Sequence, residues 1–123
     1  MKKSYVYILI NHNQKAYKIG TTRNVYKRIK GLSYFWGEFE LHDSFVIECP
    51  SNYSFKLESL LKNLVHDYKV DFAEDERDKN GWNEFFEIKS LPSLKSFITE
   101  SLLSFKKDLE LLYIKDIMNQ KQN

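Results

Sequence analysis

Between residues 14 and 30 the chain carries Lys15, Lys18, Arg23, Lys27, Arg28 and Lys30, with no carboxylate among them. Acid is concentrated elsewhere, at Asp71, Glu74, Asp75, Glu76, Asp78, Glu84 and Glu87. A local excess of cations suits a phosphate-bearing substrate; the ordinary alternative is a solvated helix face. Arg28 is the best phosphate ligand of the run, because a guanidinium offers two parallel hydrogen bonds where an ammonium is a point charge. Arg23 is a plausible second contact. The other group able to do chemistry is Glu58, a carboxylate within Leu57-Glu58-Ser59-Leu60-Leu61. Burying it beside leucines is expensive unless something pairs with it. Arg28 would serve, and so would Mg²⁺, which keeps much of its water and needs few protein ligands. The rival reading is a helix-surface acid paired with Lys62 one turn on.

These groups must be held by elements the pattern defines. Tyr5, Tyr7 and Leu9 alternate with Val6, Ile8 and Ile10, the period of a strand over 4–10. Asn11-His12-Asn13-Gln14 is polar and reverses the chain, and a second strand returns over 15–19. Gly20 then permits a close backbone approach or an unusual dihedral. Thr21, Thr22 and Asn24 are helix-start residues for a helix over 23–32 that ends near Gly31, with Val25, Ile29 and Leu32 inward. Ser33 to Gly37 reads as an aromatic loop covering the core. A third strand is expected over 39–48, closed by Pro50, and a second helix over 52–68, capped by Ser51 or Asn52. Residues 69–81 lose apolar periodicity and read as an exposed, mobile loop with a turn at Asn80-Gly81. A short strand over 82–88 and a last helix over 92–117 complete the chain. The predicted fold is a compact α/β (α+β) domain in which a small antiparallel sheet of three core strands, plus the late short one, packs between helices.

Taken in order, these residues resemble the GIY-YIG nuclease superfamily. Its first tripeptide maps onto Tyr5-Val6-Tyr7 and its second onto Lys18-Ile19-Gly20, with ten residues between them, and Arg28 follows eight residues after Gly20. The KIG form and the closing Glu84-Phe85-Phe86 look most like a small branch common in phages and other viruses. The resemblance implies a GIY-YIG-like catalytic domain over 1–90, followed by a C-terminal helix over 91–123 that packs on it or mediates a homodimer. It implies a metal-dependent endonuclease that hydrolyses phosphodiester bonds in DNA. Tyr7 would help to activate water, Arg28 would contact the phosphate, and Glu58 would hold one Mg²⁺ (or Mn²⁺). Lys18 stands where the family has its second tyrosine and would tune Tyr7. A free phenol, with a pKa of about 10, is a poor base at neutral pH, and a neighbouring cation favours its phenolate. Tyr17 is one residue off and should point to the opposite face. Arg23, Lys27, Lys30 and Asn83 are candidate nucleic-acid contacts.

The replacement of that tyrosine by Lys18 motivates the alternative of a catalytically weak or inactive nucleic-acid-binding or regulatory protein on the same scaffold. A protein that captures a host factor is a third class. The remaining signals are bland. His12 and His42 have no partner at metal-like spacing, His66 lies two turns beyond Glu58, and Cys49 is expected to be a buried packing residue.

Length and composition bound the rest. The chain has 123 residues, enough for one core, and its 19 basic and 17 acidic side chains leave a net charge of only +2. The single cysteine excludes an intrachain disulfide and fits a reducing compartment. No run approaches the ~18 apolar residues a membrane span needs. The apolar stretch after the two N-terminal lysines alternates and lacks a small-residue cleavage site. A cytoplasmic setting, the host's if the protein is viral, is therefore expected.

Overall fold

The structure, a computed structural model, describes residues 2–105 and 108–122. Strands β1 (Lys3–Asn11) and β2 (Ala16–Thr22) form the hairpin, in register from Tyr5↔Thr22 to Asn11↔Ala16. Its turn is built by Asn11, fully buried, whose Oδ1 accepts from the Gln14 N–H at 3.2 Å and whose Nδ2 donates to the Trp36 carbonyl at 3.0 Å. Helix α1 (Val25–Trp36) starts at Asn24, whose side chain accepts from the Lys27 N–H at 3.0 Å. Strand β3 (Glu40–Pro50) returns along the other side of β1, and helix α2 (Ser54–Leu64) follows. Strand β4 (Phe85–Glu87) pairs with Ala16 to Lys18 of β2. With a last strand, β5 (Glu110–Tyr113), the five-stranded antiparallel sheet has the order β4-β2-β1-β3-β5.

The hairpin alternation sorts the core into two layers. Val6, Ile8, Ile10, Tyr17 and Ile19 face one way, into a cluster with Leu57 and Leu61 of α2. Tyr7, Leu9 and Ala16 face the other, with Val25, Ile29, Leu32 and Trp36 of α1. Period-2 strands alone require this division, and it puts Tyr17 opposite Tyr7 as the sequence predicts.

Several boundaries differ from expectation, each for a packing reason. Helix α1 passes Gly31 and ends at Gly37, whose φ of 77° and N–H bond to the Ser33 carbonyl at 2.9 Å close it. Trp36 extends the Val25–Ile29–Leu32 stripe and is buried, which outweighs the roughly 1 kcal/mol that a mid-helix glycine costs. The expected aromatic loop is thus helical, with only Tyr34 fully turned outward, at 85% exposure. Helix α2 starts after Tyr53 with no side-chain cap and ends at Leu64, short of the expected 68, where the chain tightens into a 3-10 turn (His66–Tyr68); its Phe55, Leu60 and Leu64 are exposed. The stretch before β4 is anchored. Phe72 is buried against Trp36 and Phe85, with ring centroids 5.1 and 5.5 Å away, and the Val70 N–H bonds the Phe85 carbonyl.

The largest correction concerns the C-terminal segment, predicted as one long helix. Helix α3 (Leu91–Phe97) runs through a π turn (Ile98–Leu102) to Leu103–Phe105, after which β5 (Glu110–Tyr113) pairs antiparallel with β3 and helix α4 (Ile114–Gln122) follows. Lys106 and Lys107, inside the predicted helix, lie outside the described residues. Leu111 and Tyr113 join one core layer and Leu112 the other, the alternation of a strand. Pairing satisfies the backbone groups that β3 would otherwise leave at a sheet edge. The segment thereby folds onto the same sheet. Among the described residues no helix is long and apolar enough to cross a membrane.

Candidate functional site

Tyr7 and Lys18 lie on the α1 side of the hairpin, two register positions apart: Tyr7 pairs with Gly20 and Leu9 with Lys18. A Cβ on Gly20 would stand 2.1 Å from the Tyr7 Oη, so the phenol lies directly over this residue. Of the two reasons the sequence offered for Gly20, close approach is the operative one. Gly81 has a similar duty beneath Lys18, where a Cβ would meet the Lys18 Cε at 2.3 Å, and its φ of 78° itself favours glycine.

From Tyr7 a continuous chain of polar contacts runs in both directions. The Lys18 Nζ, fully buried, donates to the Tyr7 Oη at 3.0 Å and to the Glu84 Oε1 at 2.6 Å. The Arg28 Nε approaches the same phenol oxygen at 3.4 Å, while its Nη2 donates to the Asn80 Oδ1 at 3.0 Å. Asn80 is itself held through its carbonyl, which accepts from the Trp36 Nε1 at 2.7 Å. Beyond Glu84, the Lys62 Nζ donates to its Oε2 at 2.5 Å and sits 3.0 Å from the Glu58 Oε2. Each position follows from an element: β1 supplies Tyr7, β2 Lys18, α1 Arg28, α2 Glu58 and Lys62, and the turn (Trp82–Glu84) before β4 supplies Glu84. Because β4 covers β2 only as far as Lys18, Glu84 falls at the strand end, where α2 also packs.

Two donors, the Lys18 ammonium and the Arg28 guanidinium, arrive at one phenol oxygen. Burial pushes the Glu84 carboxyl up, but Lys18 and Lys62 outweigh it and hold the group below the usual carboxylate range. Burial likewise pushes Lys62 down, and Glu84 and Glu58 reverse that, raising the ammonium above its ordinary value. Three cations against two carboxylates leave one positive charge in excess, the complement of a phosphodiester.

Of the sequence candidates, Tyr7, Lys18, Arg28 and Glu58 come together, linked through Glu84 and Lys62. Glu58 makes the turn-apart pair with Lys62 that was the rival reading, and Lys62 links it to Glu84. The other candidates are not in the chain of contacts. Arg23 is exposed and lines a separate hollow with Tyr5, Glu48 and Leu112. Lys27 is exposed, and the Lys30 Nζ lies 4.9 Å from the Tyr26 ring centroid. Asn83 is exposed, and Asn80 makes the arginine contact instead. His42, expected to lack metal-like neighbours, has ligand atoms of Glu40 and Asp43 within 4.8 Å, but this exposed group also meets the Lys115 Nζ at 3.3 Å. Cys49 is buried as expected, and burial pushes its thiol up.

Sequence reasoning missed Glu84, Asn80 and Gly81. The turn signal of Asn80-Gly81 and the acid before Phe85-Phe86 were visible, but nothing local says that they fold over β2. For a metal, the donor set offers Glu58 first. One partly buried carboxylate fits a hydrated divalent cation, provided that the Lys62 ammonium yields its place.

A family model, the T5orf172 domain, matches residues 4–101. No curated protein and no solved structure matches the chain. The chain belongs to the T5orf172 domain family, a phage-associated domain related to the endonuclease class.

Proposed function

We propose that this T5orf172-domain protein is a divalent-metal-dependent endonuclease of GIY-YIG type that hydrolyses phosphodiester bonds in DNA. The observation that carries the reading is the convergence of Tyr7, Lys18, Arg28 and Glu58 from two strands and two helices into one linked set. A buried lysine, a phenol and an arginine brought together suit a shared anionic substrate. Arg28 grips a non-bridging phosphate oxygen and orients the diester. Tyr7, its oxygen fixed by Lys18 and Arg28, aligns the attacking water and, reacting as the phenolate, accepts its proton as the new P–O bond forms; the old P–O bond breaks and the leaving oxygen takes a proton from solvent water. Lys18, locked by Glu84, keeps the phenol in that position. Glu58 would hold Mg²⁺ or Mn²⁺, which when bound supplies neutralisation of the phosphoryl charge.

Plasmid nicking in Mg²⁺ tests the proposal. The protein is expected to convert supercoiled DNA to nicked circles, and Glu58→Ala to lose at least about a hundredfold in rate. The contact between Lys62 and Glu58 favours one competing reading, a nucleic-acid-binding or regulatory protein whose cation site is filled by its own lysine. DNA binding without cleavage, unchanged in Glu58→Ala, would establish that reading instead.

A further inference from the structure

Two lysines share Glu84, and they are not equivalent. Lys18 is fully buried and has no exit, whereas Lys62 keeps 26% of its side chain exposed at the rim. Glu84 is already neutralised by Lys18 at 2.6 Å, so its charge does not require Lys62. Yet the Lys62 Nζ is drawn to Glu84 at 2.5 Å and to Glu58 at 3.0 Å, which sets an ammonium on the carboxylate that the proposed reaction needs for a metal.

We propose that Lys62 is a positioning residue that competes with the divalent cation for Glu58, tethered over it by Glu84, so that metal enters only when the ammonium swings out. The inference rests on the assignment of Glu58 as the metal carboxylate. A cation coordinated at about 2.1 Å and an ammonium at hydrogen-bond distance cannot share one carboxylate oxygen without strong repulsion. Exit is open to Lys62 because its stem is flexible and its head already reaches water.

The test is Mn²⁺ binding to the intact protein, followed through the electron paramagnetic resonance signal of the free ion. Lys62→Met is expected to bind Mn²⁺ at least about tenfold more tightly than the unsubstituted protein. Lys62→Arg, which keeps the charge, should remain at the weaker affinity. The gain should vanish in Lys62→Met/Glu58→Gln. Circular dichroism checks folding, and Lys62→Gln carries the same expectation should the methionine variant not fold. Equal or weaker Mn²⁺ binding in Lys62→Met, a gain that survives Glu58→Gln, or no saturable Mn²⁺ in any variant would overturn the inference. Mg²⁺-dependent nicking with unchanged Mn²⁺ affinities would overturn it and leave the nuclease reading standing. A tenfold gain in Mn²⁺ affinity without nicking would support it and remove the nuclease reading alone.

Discussion

Two tyrosines of the same hairpin are buried three register positions apart, and they live in different chemistry. Tyr17 faces the α2 layer, packs against the Phe86 ring at 6.0 Å between centroids, and shares one hydrogen bond with the Ser90 Oγ at 2.6 Å. Burial pushes its phenol up to about 12, with Ser90 pulling slightly the other way. Tyr7 faces the α1 layer, is 2% exposed, and meets two cations at its oxygen. Burial and residue type do not distinguish them; their partners do. A lone neutral hydroxyl satisfies the phenol of a core residue, whereas at Tyr7 a lysine locked by a carboxylate and an arginine reaching from a helix set two cations on one oxygen.

Substitutions on the two faces should therefore separate. Glu84→Gln is expected to have the largest effect on stability. It leaves the fully buried Lys18 ammonium without its carboxylate, and breaking such a pair from one side costs about 3 kcal/mol, read from the urea midpoint. Adding Lys18→Met should recover most of that loss, because no uncompensated buried charge then remains. Gly20→Ala comes next, at about 2 kcal/mol, because its Cβ drives the Tyr7 ring off β2. Nicking should fall further than stability does. Tyr17→Phe removes one buried hydrogen bond, costs about 1 kcal/mol near neutral pH, and should leave nicking intact.

The two faces also differ in pH response. The Tyr17 phenol is raised in the fold, so its contribution is full below the ordinary 10.0 and lost as pH rises toward about 12. Tyr17→Phe should flatten the alkaline limb of melting temperature over that window. The Glu84 carboxyl is lowered, so its contribution is full above the ordinary 4.5 and lost as pH falls through its folded value. Glu84→Gln should remove that acid-side dependence.

Much of this contrast was readable from residue order. Strand alternation alone puts Lys18 with Tyr7 and Tyr17 away from it, and Arg28 stands off the buried stripe of its helix. Glu84 was not readable, because its contact with Lys18 joins positions 66 residues apart and depends on where β4 stops. Phe72, which pins the loop carrying Asn80 and Gly81, is a single aromatic in a polar stretch. Strand β5 was hidden for another reason: Leu109, Leu112 and Tyr113 satisfy a helical period, the strand instead sets Leu111 and Tyr113 on one face and Leu112 on the other, and only the open edge of β3 chooses between them.

The most direct test of the account is Mg²⁺-dependent plasmid nicking by Tyr7→Phe and Tyr17→Phe side by side, with folding checked for each. The account predicts that Tyr7→Phe loses at least about a hundredfold in rate while Tyr17→Phe stays within about twofold of the unsubstituted protein. Equal rates for the two variants, or no nicking by the unsubstituted protein, would contradict it.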